Sequence, residues 1–193
     1  MTGSWARDVA LSLLAETLPR RWAHVQGVGS KAEHVAASLS LKGDALVAAA
    51  WLHDVGYAPD VADTGFHPLD GARYLAARGV PERVVNLVAR HSYAILEAEL
   101  RGVGRWLAAF PDEGSVLRDA LWYCDLTTSP DGEPVGAAER IAEIRAQYGP
   151  DDIVTRFIIQ GESELLAAVD RTERRLAGEQ VSTATANVRR STC

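Results

Sequence analysis

The residues of this chain with the clearest chemical potential are a histidine and an aspartate that directly follow an apolar segment. His53 and Asp54 come after eight consecutive apolar residues, Ala45–Leu52. Such a segment is typical of a buried helix, so the pair lies at the edge of a core, where aspartate is rare unless it is paired or binds a metal. Taken alone, the pair is explained more simply as a helix end at which the helix dipole favours histidine.

Four further residues of metal-ligating type occur on or beside other predicted helices. His24 lies 29 residues before His53, and Asp125 follows a second apolar run. His67 and His91 lie where one helix begins and another ends, and a cap and a helix-end charge are the simpler explanations for each of them alone. The joint pattern of imidazoles and carboxylates is instead typical of a site for divalent cations.

This order of residues, namely a histidine, a His-Asp pair, two single histidines and a final aspartate, resembles the HD-domain superfamily of metal-dependent phosphohydrolases. The resemblance covers about residues 19–130. It implies a single all-α HD-domain helical bundle and an enzyme that hydrolyses phosphoester or phosphoanhydride bonds. It also implies two bound divalent metal ions, of Mn, Fe, Ni, Co or Mg, held by six ligands: His24, His53, Asp54, His67, His91 and Asp125.

In the implied mechanism Asp54 is the catalytic residue, because its carboxylate bridges both ions. Two cations about 3.5–4 Å apart repel each other and need a shared negative charge. The resemblance places Asp54 with His24, His53 and Asp125 around the first ion, and the other two histidines around the second. The ions lower the pKa of a bridging water, and the resulting hydroxide attacks phosphorus.

Two branches of the superfamily share finer features with this chain. Residues 21–28 and the spacing from His24 to His53 look like the bacterial hydrolases of symmetrical dinucleoside tetraphosphates. Residues 67–91 look equally like that branch and like the mixed-valent di-iron oxygenases, whereas Val55-Gly56-Tyr57 stands where the first branch often carries a lysine. The sequence thus favours a hydrolase of a small phosphorylated metabolite, with a nucleotide as the favoured class. A di-iron oxygenase on the same ligands and a metal- or nucleotide-binding domain without turnover stay open as alternatives.

Arg21 is the candidate for substrate binding. It lies three residues before His24, so the two side chains share one helix face, and a guanidinium suits a phosphate group. His34 lies ten residues after His24 and is turned roughly 80° away from it, so we expect a position on the surface or directly behind the ligands, and no contact with a metal. Four polar residues near the ligands in sequence are further candidates to line the pocket: Tyr57, Ser92, Thr127 and Thr128.

Helical spacing of apolar residues runs through nearly the whole chain. It predicts one all-helical domain over residues 1–177, followed by a disordered tail at residues 178–193 that is rich in Ser, Thr, Ala and Arg. The five tryptophans are interpreted as core residues, and Asp119, Glu97 and Glu99 as solvated helix charges. Helices are predicted at residues 4–17, 19–39, 45–53, 67–79, 81–91, 102–110, 114–126, 136–148 and 162–176.

Composition excludes several classes of protein. Hydrophobic residues make up 47% and charged residues 24% of the 193 residues, which excludes a disordered or fibrous chain. The net charge of −6 gives no reason to expect a nucleic acid polymer as partner. No apolar run approaches the roughly 18 residues that span a bilayer, and the N-terminus has no signal-type segment.

We therefore expect a cytoplasmic protein with Cys124 and Cys193 reduced, no membrane contact and a small phosphorylated molecule as partner. Its oligomeric state is left open between a monomer and a homodimer.

Overall fold

The structure, a computed structural model, describes residues 3–41 and 44–178. Over this part of the chain there are ten α-helices, two short 3₁₀ helices and no β-strand, only an isolated bridge between Thr128 and Pro134. The all-α prediction is therefore confirmed. The α-helices, α1 to α10 in chain order, are Gly3–Leu14, Pro19–Ser38, Ala45–Leu52, His67–Ala77, Glu82–Arg90, Ala94–Leu100, Gly104–Leu107, Val116–Leu126, Ala137–Gln147 and Ile153–Leu176.

Helix α3 lies at the centre of the bundle because all eight of its residues are apolar. Six of them are buried, and the helix contacts α1, α2, α5 and α8. Its alanines are small, so the neighbouring helices approach it closely. The chain leaves α3 at His53, and the next residue, Asp54, is still 2% exposed. Burial of this helix therefore carries two polar side chains into the core.

The largest differences from the predicted helices lie in the second half of the chain. The helix predicted over residues 102–110 shortens to α7, and α6 was not predicted. Helix α10 begins at Ile153 rather than at residue 162. The reason is Gly161, which weakens the helical pattern but serves packing: a Cβ there would lie 3.1 Å from Tyr93 Cδ1. The long helix therefore continues through a glycine that makes room for an aromatic ring.

Some side chains that the sequence placed in the core or in solvent lie elsewhere. Trp106, interpreted as core, is 40% exposed, whereas the other four tryptophans are buried or half-buried. The guanidinium carbons of Arg73 and Arg105 each lie 5.3 Å from the centre of the Trp106 ring, and such cation–π contacts stabilise an exposed aromatic ring. Glu97, interpreted as solvated, is half-buried, and Glu99 is exposed.

Asp119 on α8 was also interpreted as a solvated charge, and that interpretation is wrong because arginines of α8 and α10 surround it. Its carboxylate accepts hydrogen bonds from Arg171 Nε at 2.8 Å, Arg118 Nη2 at 2.9 Å and Arg175 Nη1 at 3.4 Å. Burial alone would raise the pKa of Asp119, but the hydrogen bonds from Arg171 and Arg118 outweigh burial and lower it. The cluster of charges therefore fastens α10 to α8.

Other predictions fall partly outside the described residues. The tail predicted at residues 178–193 lies outside them from residue 179 onward, as does Cys193, while Cys124 is a buried free thiol. None of the described helices combines the length and the apolar character that a membrane crossing requires. The domain bounds of 1–177 and the cytoplasmic location stay predictions.

Replacing Asp119 by asparagine is expected to lower the free energy of unfolding by about 2 kcal/mol at pH 7, because the surrounding arginines lose their charge partner. The folded-state pKa of Asp119 is lowered. Its stabilisation is therefore fully present above the unfolded-state pKa of about 3.9 and is lost as the pH falls through the folded-state pKa. The gap between wild type and Asp119→Asn should thus narrow below about pH 4, which urea unfolding across the acid range measures.

Asp170→Asn is the matched control, because Asp170 pairs with Arg174 on the exposed face of α10. An exposed pair of this kind contributes only about 0.3–0.5 kcal/mol. Equal losses of stability in the two variants would contradict the assigned role of Asp119. A difference in free energy of unfolding between wild type and Asp119→Asn that increases in acid would contradict it as well.

Candidate metal centre

Side chains of metal-ligating type meet where five helices approach one another. Four of them are buried, and the other two, one on α4 and one on α8, are half-buried. The structure brings together all six ligands that the sequence predicted: His24 of α2, His53 and Asp54 after α3, His67 of α4, His91 after α5 and Asp125 of α8.

The first group of ligand atoms comes from α2, α3 and α8. His24 Nε2 lies 3.1 Å from Asp125 Oδ1, and His53 Nε2 lies 3.8 Å from the same oxygen. One atom from each of these three side chains lies within 4.8 Å of the other two. Two imidazole nitrogens and a carboxylate oxygen at such distances are a donor set that suits a divalent transition metal ion.

The second group comes from α4, α5 and the segment after α3. His67 Nε2 lies 3.0 Å from His91 Nε2 and 3.4 Å from Asp54 Oδ1. The other oxygen of the same carboxylate, Asp54 Oδ2, lies 3.4 Å from His53 Nε2 and 3.9 Å from His24 Nε2. Asp54 therefore offers one oxygen to each group, which is the arrangement that a shared carboxylate requires.

Backbone carbonyls orient three of the four imidazole rings. The Nδ1 atoms of His24, His53 and His91 hydrogen-bond to the carbonyl oxygens of Ser129, Ala50 and Val88, at 3.0, 2.8 and 2.6 Å. A neutral ring that donates from Nδ1 keeps its lone pair on Nε2, the atom that faces the cluster. Burial would lower the pKa of His24, but its hydrogen bond with Asp125 Oδ1 outweighs burial and raises it, so this ring donates from both nitrogens. His53 Nε2 is buried and has no hydrogen-bond partner among the described residues. An orphaned buried acceptor among oriented ligands fits a metal ion.

Burial and charge act in opposite directions on the ionisable groups of the cluster. Burial lowers the pKa of His53, and it lowers the pKa of His67 well below the usual value, which favours the neutral rings that bind metals. Burial would raise the pKa of Asp54, but the electrostatic fields of His53 and Arg21 outweigh it. Burial would also raise the pKa of Asp125, but its hydrogen bond with His24 outweighs burial and lowers the pKa. Both carboxylates are therefore ionised.

Arg21, the predicted substrate-binding residue, contacts the cluster directly. Its Nη1 donates a hydrogen bond to Asp54 Oδ2 at 2.8 Å, and its side chain is 35% exposed. The guanidinium carbon lies 4.2 Å from the centre of the Tyr57 ring, and that ring stacks on His67 with 4.0 Å between centroids. A carboxylate and an aromatic face thus hold Arg21 beside the ligands.

The cluster faces a cavity of about 650 Å³. Arg21 and five of the six ligands line its inner end. Its outer wall comes from α9, the residue after it and α10, and includes Ile144, Tyr148, Val154 and Phe157. The sequence did not single out this wall, because an apolar residue that faces a cavity has the same periodicity as one that faces the core.

The four pocket candidates near the ligands divide into two pairs. Tyr57 and Ser92 line the cavity. Thr127 and Thr128 are not among its lining residues, and their hydroxyls instead donate hydrogen bonds to carbonyl oxygens of α8 at 2.7 Å. His34 is exposed on α2, as predicted, and its Nδ1 bonds to the Ser30 carbonyl of its own helix.

Close backbone contact positions His24. The loop after α8 carries the Ser129 carbonyl that bonds to its ring, and two glycines let this loop approach α2. A Cβ on Gly27 would lie 2.3 Å from Gly132 O, and a Cβ on Gly132 would lie 2.4 Å from Ala23 O. Any larger residue at either position would push the loop away from α2, and the Ser129 carbonyl would move with it.

The backbone directly after His91 is strained. Ser92 and Tyr93 have φ angles of 45° and 59°, in the left-handed region that costs a residue other than glycine about 1–3 kcal/mol. The Ser92 hydroxyl donates a hydrogen bond to Asp125 Oδ2. This turn therefore connects His91, which follows α5, to Asp125 of α8. Because Ser92 bonds to Oδ2 of Asp125, the other oxygen, Oδ1, faces the imidazoles.

Fold and site together define an all-helical protein with a buried histidine–aspartate cluster that could hold metal ions. A family model described as the HD domain matches residues 21–123, and the chain belongs to this family. The matched region contains five of the six candidate ligands and ends two residues before Asp125. No curated protein and no solved structure matches the chain. Most members of the HD domain family are metal-dependent hydrolases.

Gly27→Ala is expected to lower the free energy of unfolding by about 1–3 kcal/mol, because the added methyl group collides with the backbone of the loop after α8. Mn²⁺ affinity should also fall by about tenfold as the ring of His24 loses its carbonyl partner. Gly149→Ala is the control, since a Cβ there meets no atom within 4 Å. Urea unfolding and calorimetric Mn²⁺ titration would refute the steric argument if both variants behaved alike.

Two substitutions of Ser92 separate its hydrogen bond from its backbone strain. Ser92→Ala and Ser92→Gly both lose the bond to Asp125, so each should weaken Mn²⁺ binding by roughly tenfold. Only glycine relieves the left-handed conformation, so Ser92→Gly should be about 1 kcal/mol more stable than Ser92→Ala. Thermal unfolding and metal titration measure the two effects. An alanine variant that is the more stable of the two would contradict the strain.

Proposed function

We propose that this protein is a metal-dependent phosphohydrolase that acts on a small phosphorylated metabolite, with a nucleotide as the favoured substrate class. The observation that carries the proposal is the convergence of six ligand-type side chains from five helices in two groups that share Asp54. Membership of the HD domain family supports the same chemistry.

The residues present fit a dinuclear centre of Mn, Fe, Ni, Co or Mg. One ion would be held by His24, His53 and Asp125 and the other by the remaining two histidines, with Asp54 shared between them. Bound ions of this kind supply an activated water as the nucleophile and stabilise the charge that develops on the phosphoryl oxygens.

The chain's own residues supply orientation and charge. The fixed imidazole rings keep every ligand atom directed at the same small volume, so little reorganisation is needed when substrate binds. Arg21 lies between Asp54 and the cavity, where its guanidinium can donate two parallel hydrogen bonds to a phosphate group. We infer that Arg21 aligns the phosphate with the shared carboxylate.

Cavity size and net charge support a small molecule as the partner rather than a nucleic acid polymer. A volume of about 650 Å³ lies within the range of roughly 300–1,000 Å³ that is usual for small-molecule sites. A protein with a net charge of −6 repels a polyanion except where a local basic patch offsets it.

Phosphate release from a nucleotide panel, measured with protein loaded with Mn, Fe, Co, Ni or Mg, tests the proposal. We expect turnover that chelation abolishes and that His53→Ala lowers by more than about 100-fold, because a direct ligand contributes at least as much as the hydrogen-bond partner of a ligand. His34→Ala is the matched control and should retain wild-type activity, since His34 is exposed and bonds only to its own helix.

Further measurements on the same metal-loaded protein distinguish the competing functions. Protein shown by elemental analysis to hold metal but unable to release phosphate from any substrate would contradict the hydrolase. Oxygen consumption with a mixed-valent iron signal would identify the di-iron oxygenase. Nucleotide binding in calorimetry without turnover would identify a binding domain. The metal count per chain distinguishes one bound ion from two.

A further inference from the structure

The cavity in front of the ligand cluster has two chemically different ends. At the inner end, Arg21 and Asp54 lie beside the imidazoles. At the outer end, Ile144 of α9 and Tyr148, the residue directly after α9, face the cavity together with Val154 and Phe157 of α10. A phosphate group occupies only a small part of about 650 Å³, so the outer end is available to the rest of a substrate.

The other charged residues that line the cavity do not favour a second anionic group. Among the described residues, three other arginines line the cavity, and each is paired: Arg20 with Asp131 at 2.9 Å, Arg101 with Glu97 at 2.7 Å, and Arg140 with Glu143 at 2.8 Å. Two acids, Glu97 and Asp152, line the cavity as well. Electrostatics therefore directs a phosphate to the inner end and leaves the outer end to uncharged groups.

An aromatic side chain at the outer end is accessible to solvent. Tyr148 is 38% exposed and lines the cavity there, whereas Tyr57, which is 39% exposed, lines the inner end beside Arg21 and His67. Large apolar side chains gain free energy when a ligand covers them, and aromatic rings prefer a planar partner in stacked or edge-to-face contact. Ile144 and Val154 are half-buried beside Tyr148, so they extend the same apolar surface.

We propose that the wall formed by Ile144, Tyr148, Val154 and Phe157 determines substrate specificity by binding an apolar, planar organic group attached to the phosphate. This inference rests on the proposed function, since it assigns the far end of the same cavity. The wall lies outside residues 21–123, the part of the chain that matches the HD domain family. Its selectivity is thus a property of this chain's own C-terminal helices.

Two non-hydrolysable probes, 1-naphthylphosphonate and methylphosphonate, test the assignment by calorimetry on the Mn-loaded protein. Wild type is expected to bind 1-naphthylphosphonate at least about tenfold more tightly, because its ring system leaves water when it packs against the wall. Tyr148→Ala and Ile144→Ala should each reduce the ratio of the two affinities by about threefold or more. Thermal unfolding verifies that each variant is folded.

Ile159→Ala is the matched control, because Ile159 is an isoleucine of α10 that is 52% exposed and does not line this cavity. It should retain the wild-type ratio. The inference is overturned by equal affinities in wild type, by no binding of either probe, by an unchanged ratio in both wall variants, or by an equal reduction in Ile159→Ala. Selective binding without hydrolysis of 1-naphthyl phosphate would contradict the proposed function and still support the wall.

Discussion

Two carboxylates held inside a helical core, Asp54 and Asp125, are the constraint on which the rest of the structure depends. A buried charge costs several kcal/mol unless neighbouring groups compensate it. Here the compensation comes from the hydrogen bond that Arg21 donates to Asp54 and from those that His24 and Ser92 donate to Asp125. A bound cation would complete this neutralisation. The groups that stabilise the two buried carboxylates therefore also form the candidate metal centre.

Steric fit holds the compensating groups in place. The apolar helix α3 fixes His53 and Asp54 at its end, because burial of six of its eight residues fixes the position of the helix in the core. Gly27 and Gly132 allow a distant loop to reach His24, and Ser92 pulls the turn after α5 onto α8. The ligands come from segments that are up to about 100 residues apart, and each of these contacts joins two such segments.

The sequence was most informative where a local signal carried the information. Helical periodicity and an apolar run ending in His53-Asp54 are both readable without the fold, and the order of the other ligand types pointed to the family. Asp119 could not be recognised as buried, because its arginine partners on α10 lie more than 50 residues away. Left-handed φ angles at Ser92 and Tyr93 have no signature either, since tertiary contacts impose them. The cavity wall was missed because its periodicity equals that of a core.

Helices α3 and α9 differ sharply in how many of their residues are buried. In α3 six of eight residues are buried, whereas α9 buries only Ile141 and packs mainly on α10. Most substitutions in α3 alter a core contact, but most in α9 alter only a surface or the cavity rim. The metal-binding chemistry and the substrate preference can therefore change at different rates during evolution. The buried helix α3, which carries ligands at its end, tolerates few substitutions. Helix α9 can accumulate them and so change which substrates bind in the cavity.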